Sequence, residues 1–394
     1  MPKVKPIYLD YAAATPLDPT VERVILKYTK VFGNPSSLHG FGQAAKAILD
    51  QSRTKIGRVL NCRPEELVFT GSGTEADNLA ILGVARARLH GAHVGHGPHV
   101  ITTQIEHHAV LRACEQLERE GFKVTYLPVD KNGLVAPEQV MAALRPETIL
   151  ISIGYANNEI GTIQPIKEIS KALHQLKTKN YKLKTVLHSD ASAAAGYLNL
   201  NIQELGVDLL TINAAKIYGP KGVGCLFVRR GVELAPIIFG GDQEGGRRAG
   251  TENPALIAGL AEALAIAEKK RTKESVRQTK LRDWLIGEIL KLPGTKLNGP
   301  APSRSNLDGG RLPYNINISF RGVDGERLVL DLDRAGIAVS TGSACTAKET
   351  GRSYVLKAME APKDWGNLRV TLGRETSEAE LKYFLVALKK LSPR

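Results

Sequence analysis

Three positions in the first two thirds of the chain could together hold a charged heterocycle. Residues 69–75 lead from an apolar run through glycines into a helical pattern, so free N–H groups and the helix dipole there would face an anion. Asp190 ends the run 185–190 at the tip of a predicted buried strand, where a carboxylate needs a partner. Lys216 follows the apolar run 208–212, where burial disfavours its charge and makes its amine nucleophilic.

Each of these signals also has a plainer structural interpretation. Thr74 can simply cap a helix, Asp190 can cap the segment after its strand, and the nearby Lys221 suits a surface turn. The combination is more specific, because a phosphate-binding turn, an aspartate for a protonated ring nitrogen and a Schiff-base lysine are the three anchors of pyridoxal phosphate (PLP). Asp190 and Lys216 are about one strand–helix–strand step apart, so adjacent strand tips would bring them together.

The triplet 106–108, Glu-His-His, follows a predicted strand at 99–103. An imidazole at a strand tip could stack on a pyridine ring, or it could be a hydrogen-bonded histidine of the core. The residues alone leave open whether His107 or His108 faces a pocket.

Among the four cysteines, Cys345 has the surroundings of a reactive thiol. It lies in the run 340–351 among glycine, serine and threonine, whereas Cys62, Cys114 and Cys225 have positions typical of structural thiols. An exposed thiol can ionise and attack, and a buried one is inert. We therefore expect that any catalytic cysteine is Cys345.

The elements that must position these residues are indicated by alternating apolar runs and amphipathic helical patterns between residues 61 and 228. Strands are predicted at 66–69, 99–103, 123–128, 148–154, 185–189, 209–212 and 225–228. Helices are predicted between several of them, at 75–89, 109–120, 137–144 and 166–177. Such alternation predicts a largely parallel sheet with ligands beyond the carboxyl ends of its strands.

The pattern changes after residue 231. A glycine-rich loop, a long helix, a short strand and a final helix are predicted at 240–250, 253–292, 315–319 and 378–391. These elements predict a smaller α+β domain, which the first fifteen or so residues would complete.

The composition is that of an ordinary soluble globular protein. With 394 residues, 43% hydrophobic and 24% charged, the chain can bury two cores, so disorder, a collagen-like repeat and a disulfide scaffold are excluded. No apolar run reaches the ~18 residues of a membrane span, and the N-terminus lacks the apolar stretch of a signal peptide. The scattered cysteines fit reduced thiols, and we expect a cytoplasmic protein.

Two polar features favour no particular function. The net charge of +13 could attract nucleic acid, but the densest basic cluster, 269–273, lies in a helical pattern among glutamates and is typical of a solvated face. His90, His93, His96 and His99 recur at every third position among glycines, which fits either a metal site or a polar surface loop. Residues at this spacing in coil do not share a face by themselves, so we favour the loop and predict no metal.

Several linked motifs resemble those of cysteine desulfurases of the NifS/IscS type, which are fold-type I PLP enzymes of the class-V aminotransferase family. They are NNEIG at 157–161, KIYGPKG at 216–222, RRAGT at 247–251 and SAC at 343–345, with the opening 8–16 and the run 33–39. The resemblance spans residues 7–385. It implies an α/β fold, with a large PLP-binding domain at 16–262 built on a mainly parallel seven-stranded sheet. A smaller α+β domain, formed by 1–15 and 263–394, would carry the Cys345 loop.

The resemblance also implies roles for the candidate residues. The catalytic set would be Lys216 as Schiff-base lysine and general base, Cys345 as persulfide carrier and His107 stacked on the cofactor. Asn158 and Arg369 would bind the substrate. The cofactor-binding set would be Gly73, Thr74, His107, Asn158, Asp190, Asn213, Lys216 and, from the second subunit of a homodimer, Thr251. Within this set, Asp190 would pair with the ring nitrogen, and both threonines and Gly73 would hold the phosphate.

Two positions depart from the family pattern. Ala193 stands where the family usually has a glutamine that bonds the ring oxygen, and Ala215 stands where it usually has a hydroxyl or an imidazole. Asn213 could partly substitute for the group missing at 215. These departures predict weaker PLP binding than in relatives with the full set.

The implied activity is conversion of L-cysteine to L-alanine, with the sulfur kept as a persulfide and passed to an iron–sulfur scaffold or to a thiolation pathway. A selenocysteine lyase or an aminotransferase of the same fold is an alternative, although an aminotransferase needs no thiol such as Cys345. A different alternative is an inactive sulfur-transfer or nucleic-acid-binding module, which Ala193, Ala215 and the net charge of +13 would favour.

Overall fold

The computed structural model of the chain describes residues 6–89, 97–179, 184–302, 310–342, 353–362 and 364–391. The β-strands are β1 (Ile7–Tyr8), β2 (Leu67–Thr70), β3 (His99–Thr103), β4 (Lys123–Leu127), β5 (Thr148–Ser152), β6 (Val186–Asp190), β7 (Leu209–Asn213), β8 (Gly224–Val228), β9 (Thr295–Leu297), β10 (Asn315–Arg321), β11 (Ile337–Ala338) and β12 (Trp365–Thr371). The α-helices are α1 (Pro19–Tyr28), α2 (Gly40–Leu60), α3 (Gly73–Leu89), α4 (His108–Arg119), α5 (Pro137–Ala142), α6 (Ile166–Lys179), α7 (Ile202–Leu205), α8 (Pro254–Ile289), α9 (Gly325–Arg334), α10 (Tyr354–Ala358) and α11 (Glu378–Leu391). Short 3-10 turns lie at Pro64–Glu66, Ala214–Lys216 and Gln243–Gly246.

Seven strands form the central sheet, in the order β2-β8-β7-β6-β5-β3-β4. The neighbours from β7 to β4 are parallel, whereas β8 pairs antiparallel with both β7 and β2. Apolar clusters pack on both faces, and consecutive residues of β7 alternate between them, Leu209 in one cluster and Leu210 in the other. A sheet of parallel strands needs this cover on both sides.

The mainly parallel seven-stranded sheet predicted from the sequence is confirmed. All seven predicted strands are present, with ends shifted by at most two residues. The alternation does not extend before residue 61, where the structure has α1 and α2. Helix α1 begins at Pro19 after an Asp18 cap, while α2 is capped by His39, a residue type that rarely marks a helix start.

A second group of strands is formed by the last third of the chain. Strands β12, β10 and β9 make an antiparallel sheet in that order, and β1 pairs in parallel with β11. Helix α8 begins after Asn253, whose Oδ1 accepts the N–H of Leu256 at 3.1 Å, and packs against α1 and α2. The pairing of β1 agrees with a smaller unit completed by the first residues, and the division into 16–262 and 1–15 with 263–394 stays a prediction.

Two features weighed in the sequence have structural outcomes. Among the helices of the described ranges, none is both long and apolar enough to cross a membrane. His99 lies in β3, fully buried, with its ring nitrogens 2.8 Å from the hydroxyls of Thr148 and Thr125. His90, His93 and His96 lie outside the described residues.

Candidate active site

A cavity of about 260 Å³ lies at the carboxyl ends of β3, β5, β6 and β7, beside the start of α3. Parallel strands collect ligand-binding groups at this edge. Eight of the predicted site residues line it: Gly73, Thr74, His107, Asn158, Asp190, Asn213, Lys216 and Arg369. Thr251 is exposed and lies outside the cavity of its own chain, and Cys345 falls outside the described residues.

Lys216 ends the short turn that follows β7, and the N-terminal segment holds its side chain. Nζ donates to the carbonyl oxygen of Ala12 at 2.8 Å and to that of Ala13 at 2.6 Å. The same segment is fixed to this turn by Thr15, whose N–H and hydroxyl both donate to the Ala215 carbonyl at 3.0 Å. The sequence pattern placed Lys216 at a strand end, but it gave no sign that two alanine carbonyls would hold the amine.

Asp190 is the last residue of β6, and two buried carboxyl groups, those of Asp77 and Glu106, line the cavity with it. Burial raises the pKa of Asp77 well above its usual range, and the nearby Asp190 adds to that effect. Burial also raises the pKa of Glu106 to about 8. Hydrogen bonds from the Thr103 hydroxyl and the Gly154 N–H act in the opposite direction, because they stabilise the charged carboxylate. At neutral pH these raised pKa values favour the uncharged forms of Asp77 and Glu106. The sequence analysis did not identify Asp77, and it named Glu106 only as a neighbour of the two histidines, because nothing in the local pattern shows that these carboxyl groups are buried beside Asp190.

His107 is the histidine that faces the cavity. Its Nδ1 accepts the N–H of Ala109 at 3.2 Å and so caps α4, which assigns the ring proton to Nε2. Burial lowers the pKa of His107, and Lys216 lowers it further. The neutral ring can present its face to a flat ligand. His108 turns toward Tyr354, with ring centroids 4.7 Å apart.

Two side chains cap the start of α3. Ser72 Oγ accepts the N–H of Glu75 at 3.1 Å, and Glu75 Oε2 accepts the N–H of Gly71 at 2.7 Å. Gly73 and Thr74 then face the cavity at the end of the helix where free N–H groups point outward. A Cβ on Gly73 would lie 3.0 Å from Asn213 Cβ, so glycine is needed here for close packing against the end of β7.

Arg369 of β12 approaches the cavity from the side opposite the sheet. Its NH2 donates to Asp10 Oδ1 at 2.8 Å and its NH1 to the Asn158 carbonyl at 3.3 Å. The side chain is 2% exposed, and Asp10 is absent from the cavity lining. Asp10 therefore holds the guanidinium from outside, in a position from which it can bind a carboxylate in the cavity.

The two positions that depart from the family pattern differ in the structure. Ala193 lines the cavity and offers only a methyl group, while its carbonyl accepts the hydroxyl of Tyr314 at 3.0 Å. Ala215 does not line the cavity, and its N–H donates to Asn213 Oδ1 at 3.2 Å. A polar side chain would therefore reach a ligand more directly from 193 than from 215.

The cysteines in the described ranges are poor nucleophiles. Cys114 and Cys225 are buried, and Cys62 is half-buried. Burial raises the pKa of Cys62 and of Cys114 to about 12, and it raises that of Cys225 as well. Their thiols stay protonated at neutral pH, as expected of structural positions.

Comparisons with known proteins show the family of this chain. The family model described as aminotransferase class-V matches residues 7–384. Cysteine desulfurase IscS of Dictyoglomus turgidum is 46% identical over 98% of this chain and 94% of its own length, and cysteine desulfurase IscS 1 of Archaeoglobus fulgidus is 41% identical over 97% and 95%. A solved structure of a NifS-like protein superposes with a TM-score of 0.87 at 34% identity, covering 98% of this chain and 99% of that one. A structure of SspA in complex with cysteine gives a TM-score of 0.78 at 32% identity, covering 93% and 98%.

Proposed function

We propose that this chain, which belongs to the class-V aminotransferase family, is a PLP-dependent cysteine desulfurase. The enzyme converts L-cysteine to L-alanine and keeps the sulfur as a persulfide on Cys345. The observation that carries the proposal is the meeting of Lys216, Asp190 and Arg369 in one cavity. An amine, a carboxylate and a guanidinium in this arrangement suit an amino-acid substrate and a pyridine cofactor.

The cavity fits PLP in its donor set. The N-terminus of α3 with Gly73 and Thr74 would hold the phosphate, and Asp190 would hold the protonated ring nitrogen. His107 would lie against the ring, and Lys216 would hold the aldehyde carbon. When bound, PLP supplies a sink for the electron pair released at the substrate Cα.

Arg369 binds the substrate carboxylate. A guanidinium can donate two parallel hydrogen bonds to a carboxylate, and the contact with Asp10 fixes the plane in which it does so. The nearby Asn158 presents its side chain to the same cavity while its carbonyl accepts from Arg369. Together they orient the substrate before any proton moves.

Lys216 moves the proton. Its free amine takes the Cα proton of the substrate as general base, and the carbonyls of Ala12 and Ala13 hold it beside the cavity whenever it is not joined to the cofactor. The Cys345 thiolate attacks the sulfur of the substrate, so a sulfur–sulfur bond forms and the carbon–sulfur bond breaks. The electron pair of the broken bond stays on carbon, which takes a proton to become the methyl group of alanine, and Lys216 returns a proton to Cα. No external oxidant is needed.

A homodimer is part of the proposal. Among the residues that the structure describes, the four most exposed large apolar side chains are Phe32 at 80%, Leu38 at 94%, Phe41 at 63% and Phe239 at 81%. Phe32 and Phe41 stack with centroids 5.1 Å apart, so they form one patch. Such a patch marks an interface, and a second copy would cover it. The partner subunit's Thr251 would then donate to the phosphate.

The dimer has a direct test. Sedimentation velocity of the wild-type chain should give the mass of two copies, and Phe41→Asp should shift it toward one. Leu330→Asp, which adds the same charge at an exposed apolar position outside the patch, serves as the control. A monomeric wild type would overturn this part of the proposal.

The persulfide sulfur would pass to an acceptor protein such as an iron–sulfur scaffold, in the cytoplasm. The relatives from Dictyoglomus turgidum and Archaeoglobus fulgidus, at 46% and 41% identity, carry the IscS name, which supports this direction of transfer.

The activity is tested by incubating the PLP-loaded protein with L-cysteine and a thiol reductant, and measuring alanine and sulfide together. Equal amounts of both products support a desulfurase. Pyruvate or transfer of the amino group would favour another reaction of the family, and no turnover at all would favour an inactive sulfur-transfer module.

A further inference from the structure

One wall of the cavity carries the hydroxyl of Ser192, to which the sequence analysis assigned no role. Ser192 lies two residues after Asp190 and lines the cavity. Its N–H donates to Asp190 Oδ1 at 2.8 Å, which fixes the turn that follows β6. The Ser192 side chain is therefore held between the end of β6 and the start of α3.

The packing around Gly73 shows where that hydroxyl lies. A Cβ built on Gly73 would be 3.2 Å from Ser192 Oγ and 3.2 Å from Asn213 Nδ2. The two polar atoms therefore converge over the first residue of α3. This is the end of the helix where N–H groups lack partners and the dipole is positive.

The side-chain amide of Asn213 has a defined orientation. Its Oδ1 accepts the N–H of Ala215 at 3.2 Å, so Nδ2 is the atom left to point at Gly73. Asn213 Nδ2, the Ser192 hydroxyl and the Thr74 hydroxyl can all donate into the same corner. A ring of donors at a helix N-terminus favours an anion with several oxygens.

We propose that the Ser192 hydroxyl, with Asn213 Nδ2, donates to the phosphate of the cofactor and supplies the hydrogen bond that alanine at 215 cannot make. This inference rests on the proposed function, because it takes PLP as the ligand of the cavity. It assigns Ser192 a binding role and leaves the proton transfer to Lys216.

The test separates the phosphate from the ring. The apo-protein is titrated with PLP and with pyridoxal, which has the same ring but no phosphate, and Kd is taken from the absorbance change. Ser192→Ala should raise the Kd for PLP about tenfold, the size expected for a lost hydrogen bond to a charged group, and leave the Kd for pyridoxal within about twofold. Ser192→Thr keeps a hydroxyl and should restore the wild-type ratio of the two constants.

A matched control is Ser170→Ala, because the Ser170 hydroxyl bonds the Gly206 carbonyl at 2.8 Å far from the cavity. It should change neither constant. An unchanged Kd for PLP in Ser192→Ala would overturn the inference while leaving the proposed function intact. Equal losses for PLP and pyridoxal would overturn it too, since they would mean that Ser192 acts only through the Asp190 turn. A wild-type chain that binds neither ligand would overturn the proposed function and this inference with it.

Discussion

The cavity has two walls that arise in different ways. The sheet wall consists of groups at the ends of adjacent strands, with Asp190 on β6, Asn213 on β7 and Lys216 directly after it. The closing wall consists of the N-terminal segment and β12, which meet in an isolated bridge between Asp10 and Thr371. The sheet wall follows from the order of strands along the chain. The closing wall forms only when the two ends of the chain come together.

Lys216 is the residue that joins the two walls. It belongs to the sheet wall by sequence, and its amine is held by carbonyls of the closing wall. Docking of the N-terminal segment is therefore needed to position the amine, and not only to close the cavity. Because carbonyls of the closing wall hold the amine, substitutions in the closing wall should affect catalysis even when no residue of the sheet wall is changed.

The largest effect is expected from removal of the amine itself. Lys216→Ala should lower alanine formation from L-cysteine by roughly 10³-fold or more, since the general base is lost. The thermal midpoint should change by only a few degrees, because the side chain contacts carbonyls at a cavity rim. Lys221→Ala is the control and should keep full activity. If Lys221→Ala were the inactive variant, the assignment of the lysine would be wrong.

The next effect compares two residues of the closing wall. Arg369→Lys should lower kcat/KM for L-cysteine about 100-fold, because an ammonium cannot replace the paired donors of a guanidinium. Asp10→Asn should lower it only several-fold, because the guanidinium remains and loses a charged partner outside the cavity. Steady-state kinetics of both variants and the wild type measure these losses in kcat/KM. Each loss should come mainly from a higher KM for L-cysteine. Equal losses in kcat with unchanged KM would contradict a substrate-binding role for Arg369.

The sequence pattern could predict residues of the sheet wall but not the contacts that form the closing wall. Asp190 and Lys216 each follow a buried apolar run, so a local pattern places them at neighbouring strand ends. The pairing of Asp10 with Arg369 joins residues 359 positions apart, and no periodicity in either segment indicates it. Arg369 was identified only through the family resemblance. Ser192 was missed because a serine after a strand has no distinctive spacing, and its role depends on Gly73 from another element.

A smaller effect is expected from Glu106, a buried carboxyl group that lines the cavity. The pKa of Glu106 is raised to about 8 in the folded protein, so the folded state holds this proton more tightly than the unfolded state. The contribution of this proton to the stability of the folded state is fully present below the ordinary carboxyl pKa of 4.5, and it is lost as the pH rises toward 8. The Tm of the wild type minus that of Glu106→Gln should therefore fall between pH 5 and pH 8 and level off above it.

Thermal unfolding at several pH values measures this difference. Glu115→Gln, at a more exposed carboxylate on α4, is the control and should show no such trend. A difference that stays constant with pH would contradict the buried, protonated state of Glu106.

The smallest effects are expected at the two alanines that depart from the family pattern, Ala193 and Ala215. Ala193→Gln should tighten PLP binding about 3- to 10-fold by adding one hydrogen bond at a position that lines the cavity. Ala215→Ser should change the affinity less, because this residue does not line the cavity. Titration of the apo-proteins with PLP gives both values. A larger gain at 215 than at 193 would contradict the placement of the two alanines.

The central claim is that Cys345 receives the sulfur of L-cysteine, and mass spectrometry of the PLP-loaded enzyme after a brief exposure to L-cysteine tests it most directly. The account predicts one extra sulfur atom on the peptide that contains Cys345, matched by one alanine released per sulfur bound. Cys345→Ser should still bind PLP and L-cysteine, since those steps use Lys216, Asp190 and Arg369, but it should carry no persulfide and release no alanine. A persulfide on Cys62, Cys114 or Cys225, or full alanine release by Cys345→Ser, would contradict the account.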